Sequence, residues 1–215
     1  MPICHDKKVI FIHVPRTGGS SIEKYLDIPR TVPNFCCNIM NTSIYYKNCR
    51  YAMTHVPAQV MRKFFPEHYE KYYKFAFVRN PYERVVSEYF WLMKKDENQG
   101  KQIDPGSVEK FSKWLFKYYT VAPKDLFGFR DHHCTQKHLL CDEGGKLMVD
   151  DVFRYENYND GVQKIKTVLN ISKAEIPWVN FSKYGIDKKI MLTDENKEFI
   201  YKIHQEDFLT FGYDK

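Results

Sequence analysis

The sequence contains no apolar segment long enough to cross a membrane. None of its hydrophobic runs approaches the roughly 18 residues that a membrane-spanning helix requires. The initial residues MPICHDKK are followed by an apolar segment of only about six residues, which is too short for the core of a signal peptide. We therefore expect a soluble, cytoplasmic protein without a membrane span.

The sequence also lacks the patterns of several ligand classes. Its six cysteines form no C-x-x-C pair and no regular framework, so we expect reduced thiols. The His- and Cys-rich stretch 132–141 matches no common zinc spacing, and we expect no metal site. The 33 basic and 27 acidic residues give a net charge of +6. This mild excess favours anionic partners, but without dense Lys/Arg clusters it does not indicate nucleic-acid binding.

No internal repeat, low-complexity segment or linker divides the chain. A length of 215 residues, with 43% hydrophobic and 16% aromatic residues, is enough for a folded domain with a sizeable core. We therefore predict a single domain over residues 1–215.

The most informative stretch is VIFIHVPRTGGSS, residues 9–21. The apolar run Val9–Val14 predicts a buried strand that Pro15 ends, and the pair Gly18-Gly19 permits a tight turn. The pair Ser20-Ser21 offers favoured helix N-caps, so we expect a helix to start there. A strand, a glycine turn and a helix start together favour the binding of a phosphate.

An ordinary strand-to-helix turn has a similar composition and is the alternative. The loop lacks the G-K-[ST] ending of a Walker A motif, because its basic residue precedes the glycines. This pattern disfavours an NTPase but not a phosphate-bearing ligand.

A second strand-to-helix junction lies near the middle of the chain. Tyr73–Arg79 predicts a strand, after which Asn80 provides an N-cap and Pro81 the first residue of a helix that ends at about Lys95. The other predicted elements are the strands Arg50–Thr54 and Asp151–Tyr155, and the helices Pro57–Phe64, Val108–Tyr119, Tyr158–Leu169 and one from the Thr193 cap to about Asp207. Strands that alternate with helices predict an α/β fold with a central parallel sheet flanked by helices. Ligands of such sheets bind at the carboxyl ends of the strands.

Two segments, in this order, resemble the motifs of a known enzyme family. PRTGGSS resembles the 5′-phosphosulfate loop of sulfotransferases, and FVRNPYERVVSEY resembles their 3′-phosphate motif. Within that family the chain is most similar to the carbohydrate O-sulfotransferases that include the heparan sulfate 2-O enzymes. The likeness extends to THVP, to FRYENY and to the pattern Asp207–Tyr213. It implies a P-loop-like, three-layer α/β fold and the donor 3′-phosphoadenosine 5′-phosphosulfate (PAPS), with no metal.

The resemblance also implies which residues bind the donor. Those implied to bind the 5′-phosphosulfate are Arg16, Thr17, Gly18, Gly19, Ser20 and Ser21. Arg79 and Ser87 are implied to bind the 3′-phosphate, the arginine through charge-assisted contacts. The family often has Lys where this chain has Arg16. Arginine keeps the positive charge beside the leaving phosphate, but it cannot donate a proton, which puts an acid role in doubt.

The same resemblance implies a catalytic base. His55, directly after the second predicted strand, aligns with the catalytic His of the 2-O enzymes. It would take the proton of the acceptor hydroxyl, for which an ordinary imidazole pKa of about 6.5 is suitable. Those enzymes carry a second His two residues earlier, where this chain has Met53. The alternative is that His55 only caps the helix at Pro57. The implied reaction is an in-line displacement that releases adenosine 3′,5′-bisphosphate.

The acceptor side is less defined. A glutamine of the family lines the acceptor cleft, which makes His133 and Gln136 candidates for substrate contact. We expect a carbohydrate hydroxyl as acceptor, with its determinants in the loops Ile28–Asn48 and Asp96–Gly145. Two alternatives stay open: a nucleotide-binding protein without catalysis, and a P-loop-like kinase that uses ATP. A chain trimmed from a Golgi-type precursor is the alternative to a cytoplasmic enzyme.

Overall fold

The structure, a computed structural model, describes residues 3–28, 43–46, 49–97, 107–125, 132–172, 176 and 188–215. The chain divides into two compact units, Met1–Arg79 with Phe129–Val179 and Asn80–Gly128 with Asn180–Lys215. None of the helices in the described part of the chain is long and apolar enough to cross a membrane. Most of the predicted acceptor loop Ile28–Asn48, and part of Asp96–Gly145, lie outside the described residues.

Strands and helices are interspersed along the described chain. In order, the elements are β1 (Ile3–Cys4), β2 (Val9–Ile12), α1 (Gly19–Tyr25), β3 (Ser43–Tyr46), β4 (Cys49–Ala52), α2 (Ala58–Phe64), α3 (Pro66–Lys71), β5 (Tyr73–Val78), α4 (Pro81–Glu97), α5 (Val108–Asp125), α6 (Gln136–Leu140), β6 (Asp151–Arg154), α7 (Tyr158–Val168) and α8 (Asp194–Phe211). Short 3₁₀ turns cover Tyr155–Asn157 and Lys188–Met191. Helices α4, α5 and α8 belong to the second unit, and the other helices and all of these strands belong to the first.

The first unit is built on a four-stranded sheet in the order β1-β2-β5-β6. Strand β2 pairs with β5, and β5 with β6, in parallel, whereas β1 pairs with β2 in antiparallel fashion. Phe11 lies opposite Phe75, and Phe77 lies opposite Phe153. The predicted α/β fold, with a mostly parallel sheet flanked by helices, is thereby confirmed.

One face of this sheet packs against α1 and α7. Phe11, Phe75 and Phe77 alternate along β2 and β5 and are fully buried, because side chains with a period of two point to one face. They share an apolar cluster with side chains of the two helices, namely Ile22, Tyr25, Tyr158, Val162 and Ile165. The intervening residues Ile10 and Ala76 are also buried, which is typical of parallel strands covered on both faces.

The second predicted strand is not part of this sheet. Strands β3 and β4 form a separate antiparallel hairpin in which Ile44 lies opposite Tyr51. The prediction treated Arg50–Thr54 as a strand of an alternating α/β pattern and assigned no strand to residues 43–46. Only two residues separate β3 from β4, and so short a connection favours pairing of the two neighbours with each other.

Helix α1 begins earlier than predicted. Its N-cap is Gly18, with φ 79° and ψ 12° and no side-chain cap, whereas the prediction gave this role to Ser20 or Ser21. Glycine adopts this left-handed conformation at low cost, so the turn is completed before the serines, which lie inside the helix. Helices α5 and α8 also extend beyond their predicted ends, to Asp125 and Phe211. The periodicity of apolar residues locates the middle of a helix better than its ends.

In the second unit, α4 packs against α5 and α8. The predicted caps are confirmed, because Asn80 Oδ1 accepts a hydrogen bond from Tyr82 N at 2.9 Å and Thr193 Oγ1 accepts one from Asn196 N at 3.3 Å. Pro81 is the first residue of α4, as predicted. The core of this unit consists of buried side chains that include Val85, Val86, Tyr89, Phe90, Phe111, Leu115, Met191, Ile200 and Phe208.

A histidine is buried within α8. His204 has no exposed surface and interrupts the helix with φ −108° and ψ 19°. Its Nδ1 is 3.7 Å from Asp207 Oδ2, too far for a hydrogen bond, and neither ring nitrogen has a hydrogen-bond partner among the described residues. The ring of Tyr119 meets it edge-on at 5.4 Å between centroids. Burial is the main cause that lowers the pKa of His204, while Asp207 raises it and Arg84 lowers it further.

We predict that Gly161→Ala destabilises the protein. A Cβ at this position of α7 would lie 2.8 Å from Phe77 Cε1 and 2.9 Å from Phe153 Cβ. Contacts this short place the cost of overpacking in the upper part of its usual range, at roughly 2–3 kcal/mol, which exceeds the gain of about 1 kcal/mol that Ala brings to a helix. Chemical denaturation should show a free energy of unfolding lowered by about 1–2 kcal/mol.

The matched control is Gly144→Ala. The nearest atom to a Cβ at this position is Asp142 Oδ1, at an ordinary contact distance of 3.4 Å. Its stability should equal that of the wild type within roughly 0.5 kcal/mol. A Gly161→Ala protein as stable as the wild type would contradict the close approach of α7 to the sheet.

We predict that His204 makes the protein sensitive to acid. Its pKa is lower in the folded than in the unfolded chain, so the unfolded state takes up the proton first as the pH falls. Stability is therefore fully present above the unfolded pKa of about 6.5 and is lost as the pH falls below it. Urea unfolding at about pH 7.5 and about pH 5.5 should show a smaller loss in His204→Leu than in the wild type.

His5→Leu serves as the control, because His5 is exposed. It should lose as much stability as the wild type between the two pH values. An equal acid loss in His204→Leu and the wild type would show that another group is responsible.

Candidate functional site

The loop between β2 and α1 carries the first group of predicted residues. Thr17 is fully buried, and its Oγ1 donates a hydrogen bond to the carbonyl of Val14 at 2.8 Å. Arg16 has φ 69°, a left-handed conformation that is uncommon and strained for a residue with a side chain. Gly18 follows with φ 79°. Two left-handed residues within three positions define the shape of this turn.

The loop is tied to the start of α7. The hydroxyl of Tyr158 donates a hydrogen bond to the carbonyl of Gly18 at 3.2 Å. Burial is the main cause that raises the pKa of Tyr158, and Tyr155 adds to it, so the hydroxyl keeps its proton. A Cβ on Gly18 would lie 3.0 Å from the Tyr158 ring and 3.1 Å from the Tyr155 ring. Gly18 is therefore required for its φ and for its contact with two tyrosines.

Arg79, which follows β5, is held through both its backbone and its side chain. The buried amide of Gln136 pairs with the backbone, since Oε1 accepts from Arg79 N at 2.9 Å and Nε2 donates to its carbonyl at 2.8 Å. The guanidinium lies over the ring of Tyr155, 4.4 Å from the centroid. Its Nη1 donates to the carbonyl of Arg16 at 3.3 Å. The structure thus connects the two arginines of the predicted phosphate motifs.

Gln136, one of the acceptor-side candidates, is fully buried and is engaged with the backbone of Arg79, so it supports a candidate site residue. Its contact with an acceptor stays a prediction. His133, the other acceptor-side candidate, is half-buried in the turn before α6. Its contact with a substrate stays a prediction.

His55 lies beside the same loop. Its Nδ1 is 2.9 Å from the carbonyl oxygen of His13. A carbonyl only accepts hydrogen bonds, so Nδ1 carries the hydrogen and Nε2 holds the lone pair of the neutral ring. This is the tautomer in which Nε2 can accept a proton. The alternative role as a helix cap is not observed, because the N-cap of α2 is Pro57 and the bond of His55 Nδ1 goes to the β2–α1 loop.

Two further histidines adjoin His55. The rings of His13 and His132 meet it edge-on, with centroid separations of 4.5 Å and 5.1 Å. Nδ1 of His13 is 2.8 Å from Oε1 of Glu23, and these two side chains are only 8% and 6% exposed. The sequence patterns described above do not indicate this pair. The available signal was a histidine that interrupts the apolar run VIFIHV, and a glutamate next to the apolar Ile22 of the following helix.

The remaining predicted residues are distributed over both units. Ser87 lies in α4 of the second unit with 9% of its surface exposed, and its part in phosphate binding stays a prediction. Ser20 is half-buried in the first turn of α1. In the part of the chain that the structure describes, no group of three or more His, Cys, Asp or Glu residues could hold a metal ion.

An open cavity is lined in part by the two tyrosines that contact Arg79 and Gly18. Its volume is ≈ 390 Å³, and residues 155–160 line it. The lining includes Tyr155, over which Arg79 lies, and Tyr158, which is bonded to Gly18. Two arginines, several hydroxyls and a glycine turn, all following the carboxyl ends of neighbouring strands, provide cations and hydrogen-bond donors suited to an anionic, phosphorylated ligand.

Comparison with known proteins identifies the family. The model of the sulfotransferase family matches residues 1–214 of this chain. Searches of curated proteins and of solved structures gave no match. The family match agrees with the two sequence motifs and with the mostly parallel α/β sheet, and it confirms the resemblance to sulfotransferases. Because the match spans almost the whole chain, this protein belongs to the sulfotransferase family.

Proposed function

We propose that this protein transfers a sulfuryl group from PAPS to a hydroxyl of a carbohydrate. Membership of the sulfotransferase family supports sulfuryl transfer. The observation that carries the proposal is the convergence of Arg16, Arg79 and His55 on one loop. Arg79 Nη1 bonds to the carbonyl of Arg16, and His55 Nδ1 bonds to the carbonyl of His13 in the same loop. Two cations and a base around one loop suit the transfer of an anionic group to a hydroxyl.

The positive charges and backbone groups of the first unit suit the two phosphate groups of PAPS. The loop 16–21 offers the charge of Arg16 and its backbone groups to the 5′-phosphosulfate, and Arg79 offers a second charge to the 3′-phosphate. Thr17 uses its hydroxyl hydrogen in the bond to Val14, so its own contribution to an anion is its backbone N–H.

When bound, PAPS supplies the sulfuryl group, whose bond to the phosphate oxygen breaks as the acceptor oxygen bonds to sulfur. His55 accepts the acceptor's proton at Nε2, which is the unprotonated nitrogen in the tautomer set by the His13 carbonyl. Arg16 stabilises the negative charge that develops on the departing phosphate. It releases no proton, so its role is electrostatic.

We predict that adenosine 3′,5′-bisphosphate binds the wild type in EDTA more tightly than ATP does. Arg79→Ala should weaken this binding by about tenfold to a hundredfold, because a hydrogen bond to a charged group contributes about 1.5–3 kcal/mol. Isothermal titration calorimetry of both nucleotides on both proteins measures the difference.

Arg62→Ala is the matched control for Arg79→Ala. Arg62 lies on α2 in the same unit, and its ion pair with Glu70 joins side chains that are 61% and 66% exposed. This variant should bind the bisphosphate as the wild type does. A wild type that binds only ATP, and only with Mg²⁺, would contradict the proposed donor and favour a kinase.

We predict that His55→Ala removes most of the transfer activity and leaves donor binding intact. Loss of a general base lowers a rate by about 10²–10⁴-fold. Transfer of labelled sulfuryl from PAPS to chemically desulfated heparin, used as the probe acceptor, measures the rate. Calorimetry with the bisphosphate checks the donor site in the same preparation.

His5→Ala is the control for His55→Ala and should be as active as the wild type, because His5 is an exposed residue near the N-terminus. Undiminished transfer by His55→Ala would assign the base to another residue. A wild type that binds the bisphosphate but sulfates no hydroxyl acceptor would favour the nucleotide-binding protein without catalysis.

A further inference from the structure

The proposed reaction leaves the buried pair of His13 and Glu23 without a role. Glu23 is 5% exposed and lies in α1 beside Ile22, a member of the apolar cluster on the sheet. Burying a carboxylate costs several kcal/mol, which a close partner only partly offsets, whereas an apolar side chain would carry no such cost. Packing alone therefore does not account for a carboxylate at position 23.

The backbone leaves the sheet through a tight turn at His13. Strand β2 ends at Ile12, and Val14 N donates a hydrogen bond to the carbonyl of Ile12 at 3.1 Å. This is the bond of a γ-turn centred on His13. The carbonyl of His13 lies beyond the paired residues of β2 and β5 and accepts the Nδ1–H of His55 at 2.9 Å. The position of this carbonyl consequently determines where Nδ1 of the His55 ring is held.

The side chain of His13 is held from two directions. Glu23 Oε1 accepts its Nδ1–H at 2.8 Å. A Cβ on Gly19 would lie 2.1 Å from His13 Cδ2 and 2.2 Å from Nε2, so the imidazole lies directly against the glycine backbone at the start of α1. The ring then meets that of His55 at 4.5 Å between centroids. The imidazole of His13 is thus held between α1 and His55.

We infer that Glu23 and His13 are positioning residues for His55. Glu23 fixes the ring of His13, and with it the γ-turn whose carbonyl takes the Nδ1–H of His55. The pair thereby keeps Nε2 of His55 as the basic nitrogen. The role of His55 as the catalytic base rests on the proposed function. The dependence of the His55 tautomer on Glu23 does not.

The tautomer of His55 can be measured without a substrate. Long-range ¹H–¹⁵N NMR spectra of the full chain with ¹⁵N-labelled histidine distinguish the two neutral tautomers at about pH 8. The spectrum of His55→Asn assigns the signal. We expect the Nδ1–H form in the wild type and in Glu23→Gln, whose amide oxygen still accepts from His13. In Glu23→Leu and His13→Leu we expect a mixture of both tautomers.

The transfer rate provides a second measurement on the same variants. With desulfated heparin as the probe acceptor, Glu23→Leu should lower kcat by at least about tenfold, in line with losses at residues that orient a reacting group. The KM for PAPS and the Kd of the bisphosphate should change by less than about twofold, and Glu23→Gln should recover most of the rate. A purely structural role of Glu23 would lower stability without changing the tautomer.

A folded Glu23→Leu protein that keeps the Nδ1–H form would overturn the inference. An Nε2–H form in the wild type or in Glu23→Gln would overturn it too. If Glu23→Leu does not fold, a folded His13→Leu protein that keeps the Nδ1–H form of His55 overturns it instead. Failure of the wild type to bind the bisphosphate would instead contradict the proposed function and leave the tautomer result valid.

Discussion

Parallel pairing of β2, β5 and β6 is the constraint on which the candidate site depends. Strands that run in the same direction end at the same edge of a sheet, so the residues that follow them become neighbours. In the observed register, Val78 lies opposite Arg154. The next residue of each strand is then Arg79 or Tyr155, and the guanidinium of one lies over the ring of the other. The local sequence provides these side chains, but the pairing of the strands brings them together.

The backbone of the β2–α1 loop is the part of the site that the rest of the first unit holds in place. Three carbonyls of this loop accept hydrogen bonds from side chains that are distant in sequence. The pairs are His13 with His55, Arg16 with Arg79, and Gly18 with Tyr158. Each bond fixes a backbone position, which explains how two left-handed residues are maintained in a short turn. The loop is thus held in one shape by side chains from three other segments of the first unit.

Turns and helix caps, which depend on neighbouring residues, were predictable from the sequence. Contacts between residues far apart in the chain were not. The glycine turn at Gly18 and the Asn80 cap follow from local geometry, and both were predictable. The partner of Gln136 was not, because Gln136 and Arg79 are 57 residues apart and neither carries a local pattern that specifies the other. His13 was overlooked for a related reason. An apolar run predicts a buried strand even when one polar residue interrupts it. The partner of His13 in α1 becomes apparent only once the helix is known to start at Gly19.

The bond between Tyr158 and Gly18 also bears on the order in which the chain acquires its structure. The two residues are 140 positions apart, the longest separation among the bonds to this loop that are described above. On the ribosome, the glycine loop emerges early, but the tyrosine that holds its carbonyl is made much later. Contacts across so long a stretch of chain form late, because closing a long loop costs entropy before any contact repays it. A nascent chain that ends before residue 158 would therefore contain the complete β2–α1 loop without the bond that holds the carbonyl of Gly18.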